Sequence, residues 1–212
     1  MRLFDYAPSG NCLKVRATAR IAGVELELVP TDIFAGATLT DEYSAINPMR
    51  EVPVLELDDG RLLTESNAIA LYLAEGTPLV PEGTADRAQV HRWLFFERAF
   101  TPAVGGLRFV RLTGREAAVP DGMLAEMQRN GKRCLRTLEV HLEGRSFVAA
   151  DALTVADVVL WAYAHVAHEG GFDVGPKVQA WIERVSSSPG VVDDLEPYPD
   201  NSQLGVSRSI YG

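Results

Sequence analysis

Thiols, imidazoles and cationic side chains are all scarce in this chain, and each shortage closes off a class of chemistry. Cys12 and Cys134 are the only 2 cysteines in 212 residues. That is too few for a secreted disulfide framework, and neither has the spacing of a zinc site or a CxxC redox pair. A reducing cytoplasm is therefore the expected compartment. The 4 histidines include one i, i+3 pair, His165 and His168, in a helix-like stretch with no third ligand at a recognisable spacing, so no metal is expected. Lys and Arg total 20 against 29 Asp and Glu, a formal charge of −9. This withholds the cationic footprint that nucleic acids and anionic membrane surfaces require. Long hydrophobic runs are missing too: the most apolar stretch, residues 158–166, is too short for a bilayer and is preceded by Asp157, and MRLFDYAPSG has no apolar targeting core. What remains is 47% hydrophobic and 23% charged, ordinary globular composition for one large or two modest domains.

The first 76 residues alternate between two periodicities. Residues 2–6 read as a short strand, broken by APSG before a helical stretch at 12–21 with Leu13, Ala17 and Ile21 on one face and Gly23 as its cap. Residues 24–29 alternate as Val-Glu-Leu-Glu-Leu-Val, the period of a half-buried strand, which predicts a parallel return to the first strand. After a loop-like segment at 31–51 with some helical character, strands at 54–57 and 61–63 flank the hairpin signal Asp58-Asp59-Gly60. Ser66 is then placed to cap a helix at 67–75 that Gly76 ends. The order is βαβ(α)ββα. Residues 77–83 carry Pro78 and Pro81 and read as a linker, and everything beyond reads as helix, at 84–115, 121–143, 154–167 and 176–187. Gly105-Gly106 threatens a kink in the first of these, and residues 193–212 read as an irregular tail.

Two dipeptides carry more information together than apart. Pro53 cannot donate a ladder bond, so it belongs at a strand's start, and a cis bond there would expose the backbone of Val52. Glu65-Ser66 at a helix start offers a carboxylate for an ammonium, and a hydroxyl with an amide at a positive dipole end for a carboxylate. Singly, each is ordinary. In sequence, NPMREVPVLELDDGRLLTESNAIALYLAE at 47–75 resembles the soluble glutathione transferase superfamily almost throughout its NPxxxVPxL…ESxAIxxYL pattern. LTVADVVLW at 153–161 resembles its TxAD motif. Physically, Thr154 and Asp157 make a capping box.

The resemblance spans roughly residues 1–190. It implies an α/β thioredoxin-like N-terminal domain at 1–76, a linker at 77–83, an all-α C-terminal domain at 84–192 and a tail at 193–212. It also implies a homodimer that uses glutathione as co-substrate, with no tightly bound cofactor. Position by position, Val52 pairs its backbone with the cysteinyl part, Pro53 is the cis-proline, and Glu65 and Ser66 hold the γ-glutamyl end. The thiolate-stabilising donor is expected in PSGNCLK at 8–14, which resembles bacterial members with Ser or Thr and an Asn two residues on. Ser9 and Asn11 are the catalytic candidates, since Tyr6 still lies in the strand. Cys12 is either a reactive thiol at the helix start or an inert buried side chain. The chain departs from the family at Glu51, where relatives usually place Lys, Gln or a similar donor for the glycyl carboxylate. Arg50 is the candidate replacement. The second-substrate pocket draws on the first long helix, with Phe100, Arg108 and Phe109 as candidates. These readings imply conjugation of glutathione to small hydrophobic electrophiles. Glutathione-dependent disulfide or peroxide reduction and a non-catalytic binding module are the alternatives.

Overall fold

The computed structural model describes residues 1–211. Strand β1 (Arg2–Asp5) leads into helix α1 (Gly10–Ala22), which starts two residues earlier than its apolar periodicity predicts because Ser9 takes the N-cap and accepts from the Cys12 amide at 3.3 Å. Gly23, at φ 70°, closes α1 by turning its N–H back to the carbonyls of Ala19 and Arg20.

The second strand comes later than the alternation at 24–29 predicts. Val24 still bonds back to Ala19, so β2 spans Glu27–Pro30 and pairs parallel to β1, with Arg2 opposite Glu27. It is an edge strand with little burial on either face. A short helix α2 (Asp41–Ile46), capped by Thr40, precedes the hairpin of β3 (Val54–Glu56) and β4 (Leu62–Leu63). The sheet order is β2-β1-β3-β4, with β3 antiparallel to both β1 and β4. Helix α3 (Ser66–Ala74) takes Glu65, not Ser66, as its N-cap residue. The Ser66 hydroxyl is thereby left free of the capping role.

The rest is helical: α4 (Thr84–Leu112), α5 (Met123–His141), α6 (Val155–Ala164) and α7 (Pro176–Ser186). Helix α4 does not break at Gly105-Gly106, and it also accommodates Pro102. The glycines serve close packing: a Cβ on Gly105 would lie 2.6 Å from the Tyr163 ring, and one on Gly106 would lie 2.7 Å from the Met127 methyl. Every residue of α6 is buried, which makes it the axis of the helical half, with Trp93, Trp161 and Trp181 in the surrounding core.

The start of α6 is held by Asp157. Its carboxylate accepts from the Thr154 amide at 3.0 Å, the Thr154 hydroxyl at 2.8 Å, the Val148 amide at 2.8 Å and the Trp181 indole at 2.9 Å. Four donors offset the burial of one carboxylate. The fold is an α/β thioredoxin-like half on an all-helical half, with α1 and α3 packed against α6.

Candidate active site

The site forms where the N-termini of α1 and α3 meet the Val52-Pro53 bond. That bond is cis. The carbonyl of the preceding residue, Glu51, is tied down by the Tyr43 hydroxyl and the Asn47 amide, both at 2.9 Å. Among the described residues, neither the N–H nor the C=O of Val52 bonds to the rest of the chain, so both stand open to an extended ligand.

Across from Val52, Glu65 sits at φ 66°, in the left-handed region that costs a non-glycine residue of the order of 1–3 kcal/mol. Helix α3 begins at the next residue, Ser66. The Glu65 carboxylate lies 3.4 Å from the Arg98 guanidinium, and Ser66 Oγ is 3.5 Å from Lys14 Nζ. Ser9 uses an oxygen lone pair on the Cys12 amide, which leaves its hydroxyl proton available. Asn11, one residue into the first turn of α1, accepts from Lys14 Nζ at 2.8 Å through Oδ1.

Two contiguous clefts meet here. The smaller and more polar one is lined by Asn11, Asn47, Met49, Glu51, Val52, Pro53, Thr64, Glu65 and Ser66. The larger, of about 390 Å³, shares Asn11, Glu51 and Val52 with it and continues past Ser9, Tyr6, Ile33, Thr101, Gly105 and Phe109 to Tyr163, Tyr198 and Tyr211. The sequence-predicted residues Ser9, Asn11, Val52, Pro53, Glu65 and Ser66 are thus brought together around these two clefts.

Of the remaining candidates, Phe109 alone lines a cleft. Arg50, at φ 58°, lines neither cleft. Glu51 lines both, and burial followed by the nearby Glu65 charge raises its carboxyl above the usual range, with Arg98 opposing. Cys12 is fully buried on α1, where its sulfur accepts from the Tyr6 amide at 3.4 Å. Burial, helped by the charge of Asp5, pushes its thiol up to about 12. Phe100 is fully buried in the helical core and lines neither cleft. Arg108 is buried beneath the cleft, ion-paired with Glu169 and 5.0 Å from the Tyr198 ring centroid. Phe109 does line the larger cleft, with its ring 5.2 Å from that of Tyr211 and 6.0 Å from that of Tyr198.

The four tyrosines were not legible as a group in the sequence. Tyr6 lies one residue past the end of β1, which frees it from the sheet and turns it into the cleft. Tyr198 and Tyr211 come from the tail, which is anchored on both halves of the molecule. The Leu204 amide bonds to Thr113, the Arg208 amide to Phe34, and Arg115 donates to the carbonyls of Ser202 and Tyr211. Two tyrosines, Tyr198 and Tyr211, in an irregular, Pro- and Gly-containing tail were the available signal.

Comparison with known proteins agrees with this geometry. Residues 8–75 match the family model of the glutathione S-transferase N-terminal domain, and residues 121–184 match that of the C-terminal domain. A glutathione S-transferase-like protein of Fusarium is 31% identical over 92% of this chain and 93% of its own. Glutathione S-transferase 3 of Zea mays is 30% identical over 94% and 95%. The crystal structure of a glutathione S-transferase from Xanthobacter autotrophicus superposes with a TM-score of 0.86 at 37% identity, covering 92% of this chain and 97% of the other. A fold, a cis-proline site and whole-length likeness that all coincide place this chain in the glutathione S-transferase family.

Proposed function

We propose that this protein is a cytoplasmic, homodimeric enzyme that conjugates the glutathione thiolate to small hydrophobic electrophiles. The observation that carries the reading is that Asn11 and the open Val52 backbone line a polar cleft and, together with Ser9, also line the larger aromatic cleft into which it continues. Glutathione lies along Val52, with its ammonium on Glu65 and its α-carboxylate on Ser66 and the N-terminus of α3. Its sulfur then sits at the first turn of α1, where the Ser9 hydroxyl and the Asn11 amide donate to it. Donors fixed before the reaction stabilise the thiolate without rearranging, and no protein base is needed. The electrophile occupies the cleft of about 390 Å³ between Phe109 and the tyrosines, within reach of the sulfur. Cys12, with its thiol pushed up to about 12, takes no part.

The test is a Ser9→Ala/Asn11→Ala variant assayed with a chlorodinitrobenzene-type acceptor and, in parallel, with hydroxyethyl disulfide. Conjugation should fall by about 10²-fold, the scale of losing a preorganised donor, while loss of the Ser9 cap costs only about 1 kcal/mol of stability. Unchanged conjugation, or turnover with the disulfide alone, would sink the assignment. Light scattering should give twice the 23.1 kDa chain mass.

A further inference from the structure

One buried cation has no part in the mechanism above. Lys14 lies one turn beyond Asn11 on α1, and its side chain is only 1% exposed. Its Nζ is 2.8 Å from Asn11 Oδ1 and 3.5 Å from Ser66 Oγ, forms an ion pair with Glu97 of α4, and stands 5.2 Å from the Tyr163 ring centroid. Glu97 is itself saturated: Thr101 shares the oxygen that Lys14 uses, and the Asn67 amide donates to the other at 2.8 Å. Burial alone would raise the Glu97 carboxyl, but the Lys14 charge and these hydrogen bonds together hold it below the usual range. Burial also pulls the Lys14 ammonium below its ordinary range, with the Glu97 charge and hydrogen bond opposing, and the three donors converging on the Glu97 carboxylate set it as the acceptor and Lys14 as a donor.

We propose that Lys14 is the positioning residue of the thiolate site. Its ammonium, anchored on Glu97 of the helical half, holds the Asn11 amide and the Ser66 hydroxyl as hydrogen-bond donors toward the bound glutathione. The chemistry of the groups supports this directly. An ammonium donates and never accepts, so the Asn11 atom beside it is the carbonyl oxygen, which leaves the Nδ2 protons for the clefts that Asn11 lines. The same ammonium occupies a lone pair of Ser66 Oγ, so that hydroxyl also presents its proton outward. Without Lys14, each group could turn its acceptor toward the anion. The thiolate would then meet an oxygen where it needs a proton.

The inference rests on Asn11 acting as a thiolate donor, and the experiment separates the two. The readout is the thiol pKa of bound glutathione, taken from the ultraviolet absorbance of the thiolate. Folding is checked by thermal unfolding, and kcat/KM is measured against pH. A Lys14→Met/Glu97→Gln variant leaves no buried charge unpaired. It should raise the bound thiol pKa by about one unit and lower kcat/KM at neutral pH by about tenfold. Asn11→Ala added to that variant should have little further effect, because both changes remove the same donor. Glu97→Gln alone strands the buried Lys14 charge without its carboxylate and serves as the stability control: it should lower the unfolding midpoint more than the double variant does. A pure inter-domain staple would act on stability and leave the thiol alone, so a double variant that is less stable but keeps the native profile of kcat/KM against pH would overturn the proposal. So would a folded double variant that titrates like the native protein while Asn11→Ala alone shifts the pKa. If Asn11→Ala in the native chain shifts nothing, or glutathione does not bind, the reading of the site fails and the inference falls with it.

Discussion

Glu51 sets the charge balance of the site at the scale of one residue. Among the described residues lining the two clefts, Glu51 and Glu65 are charged and no Lys, Arg or His is present. In the proposed binding mode Glu65 receives the ammonium, and Glu51, next to Val52, faces the glycyl carboxylate, an anion against an anion. Arg50 does not relieve this, since it lines neither cleft. A Glu51→Lys variant should therefore bind glutathione more tightly, by about threefold to tenfold. The gain stays in that range because the Glu51 side chain is exposed as a whole, with its carboxyl only partly desolvated in the cleft beside Glu65, so solvent still screens its charge. Calorimetry at low and high salt checks both the direction and the screening, and no tightening at low salt would refute it. This part of the site was legible in the sequence because its residues are close along the chain. Val52-Pro53 and Glu65-Ser66 sit at the ends of one hairpin, and local spacing fixes their relation. The position of the Ser66 side chain was less legible. The sequence points to a cap, whereas Glu65 takes that position in a strained conformation and leaves the hydroxyl to Lys14 and the ligand.

At the scale of elements, the instructive residue is Gly105. Its helix propensity predicts weakness in α4, yet α4 runs unbroken, and the glycine is there for the benefit of a neighbour. A Cβ on Gly105 would lie 2.6 Å from the Tyr163 ring, and so would one on Gly10. One tyrosine of α6 therefore packs directly on the backbones of α1 and α4, and its ring joins the cleft from there. Gly105→Ala should gain about 1 kcal/mol of helix propensity but lose about 1–3 kcal/mol to overpacking. The net effect should be destabilising, with Tyr163 pushed into the cleft and the electrophile KM raised. A urea midpoint higher than that of the native protein would show that the ring yields freely. Periodicity and caps reveal each helix from its own sequence. They do not reveal which helix approaches another at backbone distance, because that depends on residues far apart in the chain. The ends of β2 escaped for a related reason: an edge strand has no buried face to sharpen the alternation at 24–29.

At the scale of the whole molecule, the tail joins the two halves over the larger cleft. Asp194 accepts from Arg20 at 2.6 Å and from Arg16 Nε at 3.1 Å, while Arg16 also pairs with Asp5 of β1 at 2.7 Å. Further along, Arg115 holds the Ser202 and Tyr211 carbonyls, and Asn201 reaches Asp32 at 2.8 Å. An irregular composition hid this order, because the tail makes no repeating pattern and its partners, from Arg16 to Arg115, lie far from it in the sequence. Asp194 also gives this anchor a pH response of its own. Burial would raise its carboxyl, but the bonds from Arg20 and Arg16 outweigh it and hold it below the ordinary value. A group whose folded pKa is depressed contributes stability that is present above its unfolded pKa, about 3.9, and lost as the pH falls through the folded value. The anchor should therefore be constant from roughly pH 5 to 9 and fail only below about pH 4. Asp194→Asn removes the charge at every pH. It should render the tail susceptible to limited proteolysis at neutral pH and raise the electrophile KM about tenfold, ~1.4 kcal/mol. Glutathione affinity should be nearly unchanged, because no tail residue lines the smaller cleft. A loss of glutathione affinity equal to the loss for the electrophile would show that the tail supports the whole site and not the aromatic cleft alone.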